Sequence, residues 1–188
     1  MKTLIVYAHP YEGSFNHFVL GRVKDLLASA GKETDLIDLN KDGFDPVMHG
    51  EDLRLFSKGD YHDRLAADYS ARLLSSDELV LIFPVWWYGV PAIMKGFFDK
   101  VFLKGRVYDE VDHKLTGLLK IKRATILTTG SLDKAALSSL GDPIGNVLAR
   151  GTLGLVGIKD VVWIHCPRVH LEETRREFLK EIDGRFAE

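Results

Sequence analysis

The feature that most constrains the fold of this chain is an alternation of short apolar segments with stretches of helical periodicity. The apolar segments are rich in β-branched and aromatic residues, which predicts buried strands. They cover residues 2–8, 33–39, 78–84, 123–129 and 161–166. Strands that alternate with helices form parallel sheets covered on both faces. Right-handed crossovers then favour one doubly wound α/β sheet of five strands in the order 2-1-3-4-5.

The stretches between these strands predict the helices. Ser14 and Asp60 are the expected N-caps of two helices, and Pro91 is expected in the first turn of a strongly apolar one. Pro143 is expected to open a helix that runs to about residue 155, and residues 171–186 predict a final amphipathic helix. The remaining stretch, residues 40–59, predicts a loop with a short helix near its middle.

Composition limits the classes of function. The 188 residues fit a single domain over residues 1–188. Twenty-five basic and 27 acidic residues give a net charge of −2, which offers no attraction for nucleic acid or an anionic membrane. No apolar run approaches the roughly 18 residues of a membrane-spanning helix. With one cysteine, Cys166, and no signal-peptide pattern, the chain is expected in the cytoplasm.

The loop after the first strand is a candidate anion site. In doubly wound sheets, ligands bind at the carboxyl ends of the strands, where the strand order reverses. Residues 9–16 lack the glycine spacing of dinucleotide and P-loop motifs, yet they lead into a helix whose first N–H groups are unpaired. Such a helix start attracts anions, and His9, Ser14 and Asn16 add side-chain donors. The alternative is that Ser14 only caps the helix and that His9 only ends the strand.

The loop after the third strand is a candidate wall for an aromatic ligand. Trp86, Trp87 and Tyr88 are consecutive, and they cannot all point into one core because neighbours in extended chain face opposite ways. The alternative is that the tryptophans pack in the core. After the fourth strand, the small residues 128–131 permit close backbone approach. Together the three loops predict one crevice with an anion end and an aromatic end, which is the shape of a flavin site.

The residues of these loops also form longer motifs. They are A-H-P-x-x-x-S-F-N at 8–16, F-P-V-W-W-Y-G-V-P-A-I-M-K-G-F-F-D-K-V-F at 83–102, and G-L-L-K-I-K-R-A at 117–124 followed by T-T-G. With these motifs the chain resembles the flavodoxin-like NAD(P)H:quinone oxidoreductases, the family of DT-diaphorase and its shorter bacterial relatives. The resemblance covers most of the chain and implies a flavodoxin-like fold.

The resemblance implies a homodimeric enzyme with a tightly bound flavin. The flavin would take hydride from NADH or NADPH and pass two electrons to a quinone or similar acceptor, in a ping-pong reaction through one shared pocket. The short chain favours FMN over FAD. The residues that the resemblance assigns to the flavin are His9, Ser14, Phe15, Asn16, Pro84, Val85, Trp86, Trp87, Tyr88, Gly89, Thr128, Thr129, Gly130 and Ser131. Tyr108 matches a region that lines the acceptor pocket across the dimer, and it is the expected catalytic residue.

Two departures from the family pattern bear on the reaction. Ser131 stands where relatives usually have a second glycine. Large members also carry a Tyr and a His that are implicated in stabilising the reduced flavin, and an ungapped count puts Ala136 and Asp142 at those positions. The backbone alone is then expected to stabilise the ring, which puts the preferred acceptor in question.

The sequence leaves three alternative functions. Some relatives are regulatory ancillary subunits of glutathione-gated potassium efflux systems, but no segment of this sequence indicates a surface that docks on a channel. A one-electron carrier like flavodoxin is disfavoured because such carriers are usually strongly acidic. A metal site at His165, Cys166 and His170 is not expected, because a closed zinc site needs a fourth ligand.

Overall fold

A parallel sheet built from the five predicted strands forms the centre of the computed structural model, which describes residues 1–187. The strands in chain order are β1 (Lys2–Tyr7), β2 (Glu33–Asp38), β3 (Glu78–Pro84), β4 (Tyr108–Val111), β5 (Lys114–Gly117), β6 (Arg123–Thr129) and β7 (Asp160–Cys166). The central sheet has the order β2-β1-β3-β6-β7, whereas β4 and β5 form a separate antiparallel hairpin. Counted within the central sheet, this order is 2-1-3-4-5. The predicted flavodoxin-like sheet is confirmed.

Helices cover both faces of the sheet. They are α1 (Phe15–Ser29), α2 (Gly50–Phe56), α3 (Arg64–Leu74), α4 (Ala92–Val101), α5 (Lys134–Ser139), a π-helix called π1 (Pro143–Leu153) and α6 (Glu172–Phe186). One core lies between the sheet and α1 and α6, and the other lies under α3, α4 and π1. Alternate strand residues supply the two cores: Leu79 and Leu81 of β3 face one, and Val80 and Ile82 face the other. Within residues 1–187, no helix has the length and apolar character needed to cross a membrane.

The two N-cap predictions have different outcomes. Ser14 caps α1, with its hydroxyl oxygen accepting from the His17 amide at 3.1 Å. The prediction for Asp60 is wrong: its carboxylate accepts from Tyr61, and the cap of α3 is Asp63, which accepts from Leu65 and Ala66. The helix begins one turn later than expected because the sequence offers two aspartates three residues apart.

The connection between α4 and β6 contains structure that the sequence analysis did not predict. The β4–β5 hairpin lies within it, and its turn residues Asp112 and His113 both adopt positive φ, at 49° and 59°.

The helix that begins at Pro143 is a π-helix, in which the amide of Gly154 donates to the carbonyl of Ala149 five residues earlier.

Candidate functional site

The segments that follow β1, β3 and β6 meet at the carboxyl edge of the sheet. The strands end together because they are parallel and in register, with Pro84 opposite Thr129 and Tyr7 opposite Ile82. The amide of Val85 donates to the carbonyl of Thr129 at 2.8 Å. The rings of His9 and Trp86 lie 6.1 Å apart, so the first two loops are in close proximity.

A cavity of about 360 Å³ lies between these loops at the start of α1. Its lining consists of His9, Ser14, Phe15, Asn16, Pro84, Val85, Trp86, Thr129, Gly130, Ser131, Val169 and His170. All but the last two are among the predicted site residues. Val169 and His170 come from the loop after β7, whose approach to the crevice the sequence did not reveal.

A second cavity of about 310 Å³ adjoins the first. It is lined by Val85, Trp87, Tyr88, Gly130, Ser131, Leu132, Leu137 and His165. Because Val85, Gly130 and Ser131 line both cavities, the two lie side by side, and we treat them together as one crevice with two ends. One end lies at the helix start and the other lies beside the exposed aromatic residues. We call these the anion end and the ring end.

His9 offers a hydrogen-bond donor at the anion end. Its Nδ1 accepts a hydrogen bond from the amide of Tyr11 at 3.1 Å, so the proton of the neutral ring is on Nε2. Burial lowers the pKa of His9 below its ordinary value of 6.5, and the ring is therefore neutral at pH 7. A neutral ring fixed in this way presents Nε2–H as a donor.

Asn16 has an unpaired polar atom at the same end. The side chain is 4% exposed, and its amide nitrogen donates to the hydroxyl of Thr129 at 2.8 Å. The amide oxygen is buried and has no hydrogen-bond partner among the described residues. A buried polar atom without a partner is uncommon in folded proteins and marks a place where a ligand or water is expected.

The aromatic loop forms a tight turn. Trp86 and Gly89 exchange backbone hydrogen bonds of 3.0 and 3.1 Å, and both central residues have positive φ, 48° at Trp87 and 65° at Tyr88. This is the backbone of a type I′ turn, for which Asn and Gly are preferred. Trp87 is 96% exposed and Tyr88 48%, so the alternative that the tryptophans pack in the core does not hold for Trp87. Gly89 closes the turn and lines neither cavity.

His165 lines the ring end and contacts Thr128, which is not part of the lining. Thr128 is fully buried, and its hydroxyl oxygen is 2.7 Å from Nδ1 of His165 on the neighbouring strand. Nε2 of His165 is 2.7 Å from the carbonyl oxygen of Leu132. The position of His165 at this cavity could not be predicted from its sequence pattern, which offers it only as a metal ligand. Its neighbour Cys166 faces the opposite core, because successive residues of a strand point to opposite faces.

Tyr108 lies apart from this crevice within the chain. It begins β4 and lines a separate cavity of about 470 Å³, between α4, the hairpin and π1, together with Phe98, Phe102 and Val147. Its role at an acceptor pocket stays a prediction. The positions counted for the missing Tyr and His line neither end of the crevice: Ala136 lies in α5, and Asp142 caps π1 through the amide of Gly145.

Comparison with known proteins gives the family. A family model described as a flavodoxin-like fold matches residues 1–187. An uncharacterized NAD(P)H oxidoreductase of Haemophilus influenzae is 29% identical over 178 residues, which are 93% of this chain and 88% of that protein. NAD(P)H dehydrogenase [quinone] 1 of Cavia porcellus is 29% identical over 84% of this chain, and the chain spans only 65% of that enzyme's length.

A solved structure agrees with the fold. The NAD(P)H:quinone oxidoreductase from Methanothermobacter marburgensis superposes with a TM-score of 0.90 at 24% identity, covering 100% of this chain and 98% of that one. The names of the relatives confirm the predicted class of enzyme, an NAD(P)H oxidoreductase. The match of one family model to almost every residue, together with the observed sheet order, leads to one conclusion: the chain belongs to the family described as having a flavodoxin-like fold.

Proposed function

We propose that this chain binds a flavin in the crevice and transfers two electrons from NADH or NADPH to a quinone or a similar acceptor. The observation that carries the proposal is the meeting of three segments that are far apart in sequence. Residues 9–16, 84–88 and 129–131 line one crevice whose two ends differ in chemistry. The names of the relatives support the nicotinamide donor and the quinone acceptor.

The anion end suits the phosphate of a flavin nucleotide. His9 presents Nε2–H, and the hydroxyl of Ser14 can donate its proton because its oxygen accepts from His17. The first amides of α1 have no partners within the helix, and the helix dipole favours an anion there by about 0.3–1 kcal/mol. The unpaired amide oxygen of Asn16 lies in the same lining, where it can accept a hydrogen bond from a hydroxyl or N–H group of a ligand.

The ring end suits a flat heteroaromatic group. Val85 and the aromatic turn lie on one side of the cavity, and residues 130–132 lie on the other. Gly130 has no side chain, so its backbone can lie against a ring. When bound, a flavin supplies the redox chemistry that amino-acid side chains lack. The residues of this chain hold the ring in one orientation and exclude water from one of its faces, so that donor and acceptor meet it in turn at the open side.

FMN is proposed over FAD. The crevice has one anion end and one ring end, which match the single phosphate and the isoalloxazine ring of FMN. We also propose that the chain works as a homodimer, because Tyr108 and its apolar cavity form a separate surface that a second copy could bring to the crevice.

The visible spectrum of the purified protein tests the proposal. We expect a yellow protein that NADH or NADPH bleaches under anaerobic conditions and that a quinone restores. Heat release of the cofactor followed by chromatography identifies FMN or FAD. A colourless protein that binds neither FMN nor FAD on reconstitution would refute the proposal.

A further inference from the structure

We infer that His165 is a positioning residue for the ring end of the crevice, where it holds the segment of residues 130–132 against β7. This inference rests on the proposed function for its meaning, because the segment forms one side of the proposed ring site. The imidazole also lines the ring end, and the role inferred for it is to hold this segment through hydrogen bonds within the protein.

The hydrogen bonds around His165 fix the tautomer of its neutral ring. The carbonyl of Leu132 can only accept, so Nε2 of His165 carries the proton and donates to it at 2.7 Å. Nδ1 of the neutral ring therefore accepts from the hydroxyl of Thr128 at 2.7 Å. The oxygen of that hydroxyl accepts in turn from the indole Nε1–H of Trp163 at 2.8 Å. The chain of donors runs from Trp163 through Thr128 and His165 to the backbone of Leu132.

This chain of hydrogen bonds ends on the crevice lining. Gly130, Ser131 and Leu132 all line the ring end. The ring of His165 lies directly against the first of them: a Cβ added to Gly130 would be 3.3 Å from Cε1 of His165. The carbonyl of Leu132 has no regular secondary structure around it, so the imidazole supplies the bond that fixes its direction.

The backbone of the segment is tied to β7 at one further point. The amide of Gly130 donates to the carbonyl of Cys166 at 3.0 Å, and its carbonyl accepts from the amide of Val169 at 3.1 Å. These bonds fix Gly130 but leave Ser131 and Leu132 without a tie to the sheet. His165 supplies that tie, and it therefore sets the position of Ser131, the residue that stands where relatives usually have glycine.

The charge surroundings of His165 keep the ring neutral. Burial lowers its pKa below the ordinary value of 6.5, and the nearby Lys134 lowers it further, whereas Asp133 and the backbone carbonyls of Leu132 and Thr128 act in the opposite direction. Lys134 itself lies near Glu181 and Asp142. A neutral ring is the form that the bond from Thr128 requires, because a protonated ring has no acceptor atom at Nδ1.

The test compares two substitutions of His165. His165→Phe fills the space but makes neither hydrogen bond, whereas the amide of His165→Gln can still donate to Leu132. We expect His165→Phe to weaken FMN binding at least about tenfold, the loss typical of one or two hydrogen bonds, and His165→Gln to recover part of it. His62→Phe is the control, since His62 is exposed and lies outside the crevice. The His62→Phe variant should bind FMN with the same affinity as the wild type.

Amide hydrogen exchange of the protein without flavin provides a second readout. We expect the amides of residues 131–133 to exchange faster in His165→Phe than in the wild type, while the amides of β6 and β7 keep their protection. In the wild type, the protection factors of these amides, which correct for the intrinsic pH dependence of exchange, should also fall as the pH drops below 6.5, and this loss of protection should be absent in His165→Gln.

The outcomes separate the two proposals. A wild type that binds no flavin refutes the proposed function, while faster exchange in His165→Phe would still support the hold of His165 on the segment. A folded His165→Phe protein with unchanged exchange at residues 131–133 would overturn the inference, and so would unchanged FMN affinity in a protein that binds FMN.

Discussion

The side-chain nitrogen of Asn16 lies 2.8 Å from the hydroxyl oxygen of Thr129 and donates a hydrogen bond to it, across 113 residues of sequence. This contact joins the first turn of α1 to the end of β6. The two residues line the same cavity, so the contact sets the width of the anion end. The other atom of the amide group, Oδ1, is buried without a partner. The pairing therefore fixes the side chain and leaves one polar group for a ligand.

The double substitution Ser14→Ala with Asn16→Ala tests the anion end. The hydroxyl of Ser14 and the second N–H of the Asn16 amide nitrogen, whose first N–H bonds to Thr129, are each expected to donate a hydrogen bond to a charged phosphate. Each bond is worth about 1.5–3 kcal/mol, so FMN affinity should fall by about two orders of magnitude or more. Titration of flavin fluorescence measures the dissociation constant. Ser29→Ala is the control, because Ser29 lies at the opposite end of α1 and its hydroxyl bonds only to the carbonyl of Asp25. Equal affinity in the double variant and the wild type would place the anion end elsewhere.

The sheet was predictable from the sequence because its strands are apolar runs rich in β-branched and aromatic residues, and because stretches of helical periodicity separate these runs. β3 is buried at all seven positions and is an unbroken apolar run after Glu78, and β6 has the predicted bounds. The hairpin of β4 and β5 carried no such signal. Its strands are four residues long and mostly exposed, and its turn uses Asp112 and His113 where Gly or Asn would have marked it.

The site residues on the three predicted loops could be predicted from the sequence, because parallel strands present their carboxyl ends at one edge of the sheet. The contribution of β7 did not follow from it. His165 reaches the ring end because β6 and β7 pair with Thr128 opposite His165, a register that the sequence alone does not fix. The π-helical hydrogen bonding of π1 was likewise hidden, since apolar periodicity does not distinguish it from an α-helix over 11 residues.

The aromatic turn is expected to carry backbone strain. Trp87 and Tyr88 both adopt positive φ, which favours glycine and asparagine over bulky residues. We expect the double substitution Trp87→Asn with Tyr88→Gly to stabilise the flavin-free protein by about 1 kcal/mol, measured by urea unfolding. FMN affinity should fall at the same time, because the lost rings line the ring end.

The matched control is the same change at the turn of the β4–β5 hairpin. Asp112→Asn with His113→Gly places the same residues in a turn with similar φ angles, at 49° and 59°. We expect a similar rise in stability and no change in FMN affinity. No gain in stability at residues 87 and 88, combined with a gain at 112 and 113, would show that the aromatic turn is not strained.

The stability of the protein is expected to depend on the protonation of His165. Its pKa is lowered in the folded protein, chiefly by burial, from an ordinary value of 6.5. An unfolded chain therefore binds a proton at this residue at a higher pH than the folded protein does. The contribution of His165 to stability is therefore fully present above pH 6.5 and is lost as the pH falls through the lower pKa of His165 in the folded protein.

Urea unfolding at a series of pH values measures this effect. The difference in unfolding free energy between the wild type and His165→Gln should be constant above pH 7 and should shrink as the pH falls toward 5. His62→Gln, at an exposed histidine, is the control and should track the wild type at every pH. A difference that stays constant across this range would mean that His165 has the same pKa in the folded and unfolded protein.

The last prediction concerns two lysines on one helix, α4, that differ in burial. The side chain of Lys100 is 3% exposed; it lies 2.6 Å from the carboxylate of Asp63 and donates to the carbonyl of Asp45 at 3.0 Å. Lys95 pairs with Asp99 on the surface and is 62% exposed. Removing one partner of a buried pair leaves the other charge uncompensated, whereas exposed pairs contribute little.

We therefore expect Lys100→Met to lower the free energy of unfolding by about 3–5 kcal/mol, and Lys95→Met to change it by less than about 0.5 kcal/mol. Methionine keeps the helix propensity and the length of the side chain in both variants, so the comparison isolates the charge. Urea denaturation followed by far-UV circular dichroism measures both values. Because Lys100 joins α4 to the loop before α2 and to the cap of α3, its loss should also speed proteolysis of residues 40–63. Equal stability of the two variants would show that the ion pair to Asp63 contributes no more than a surface contact.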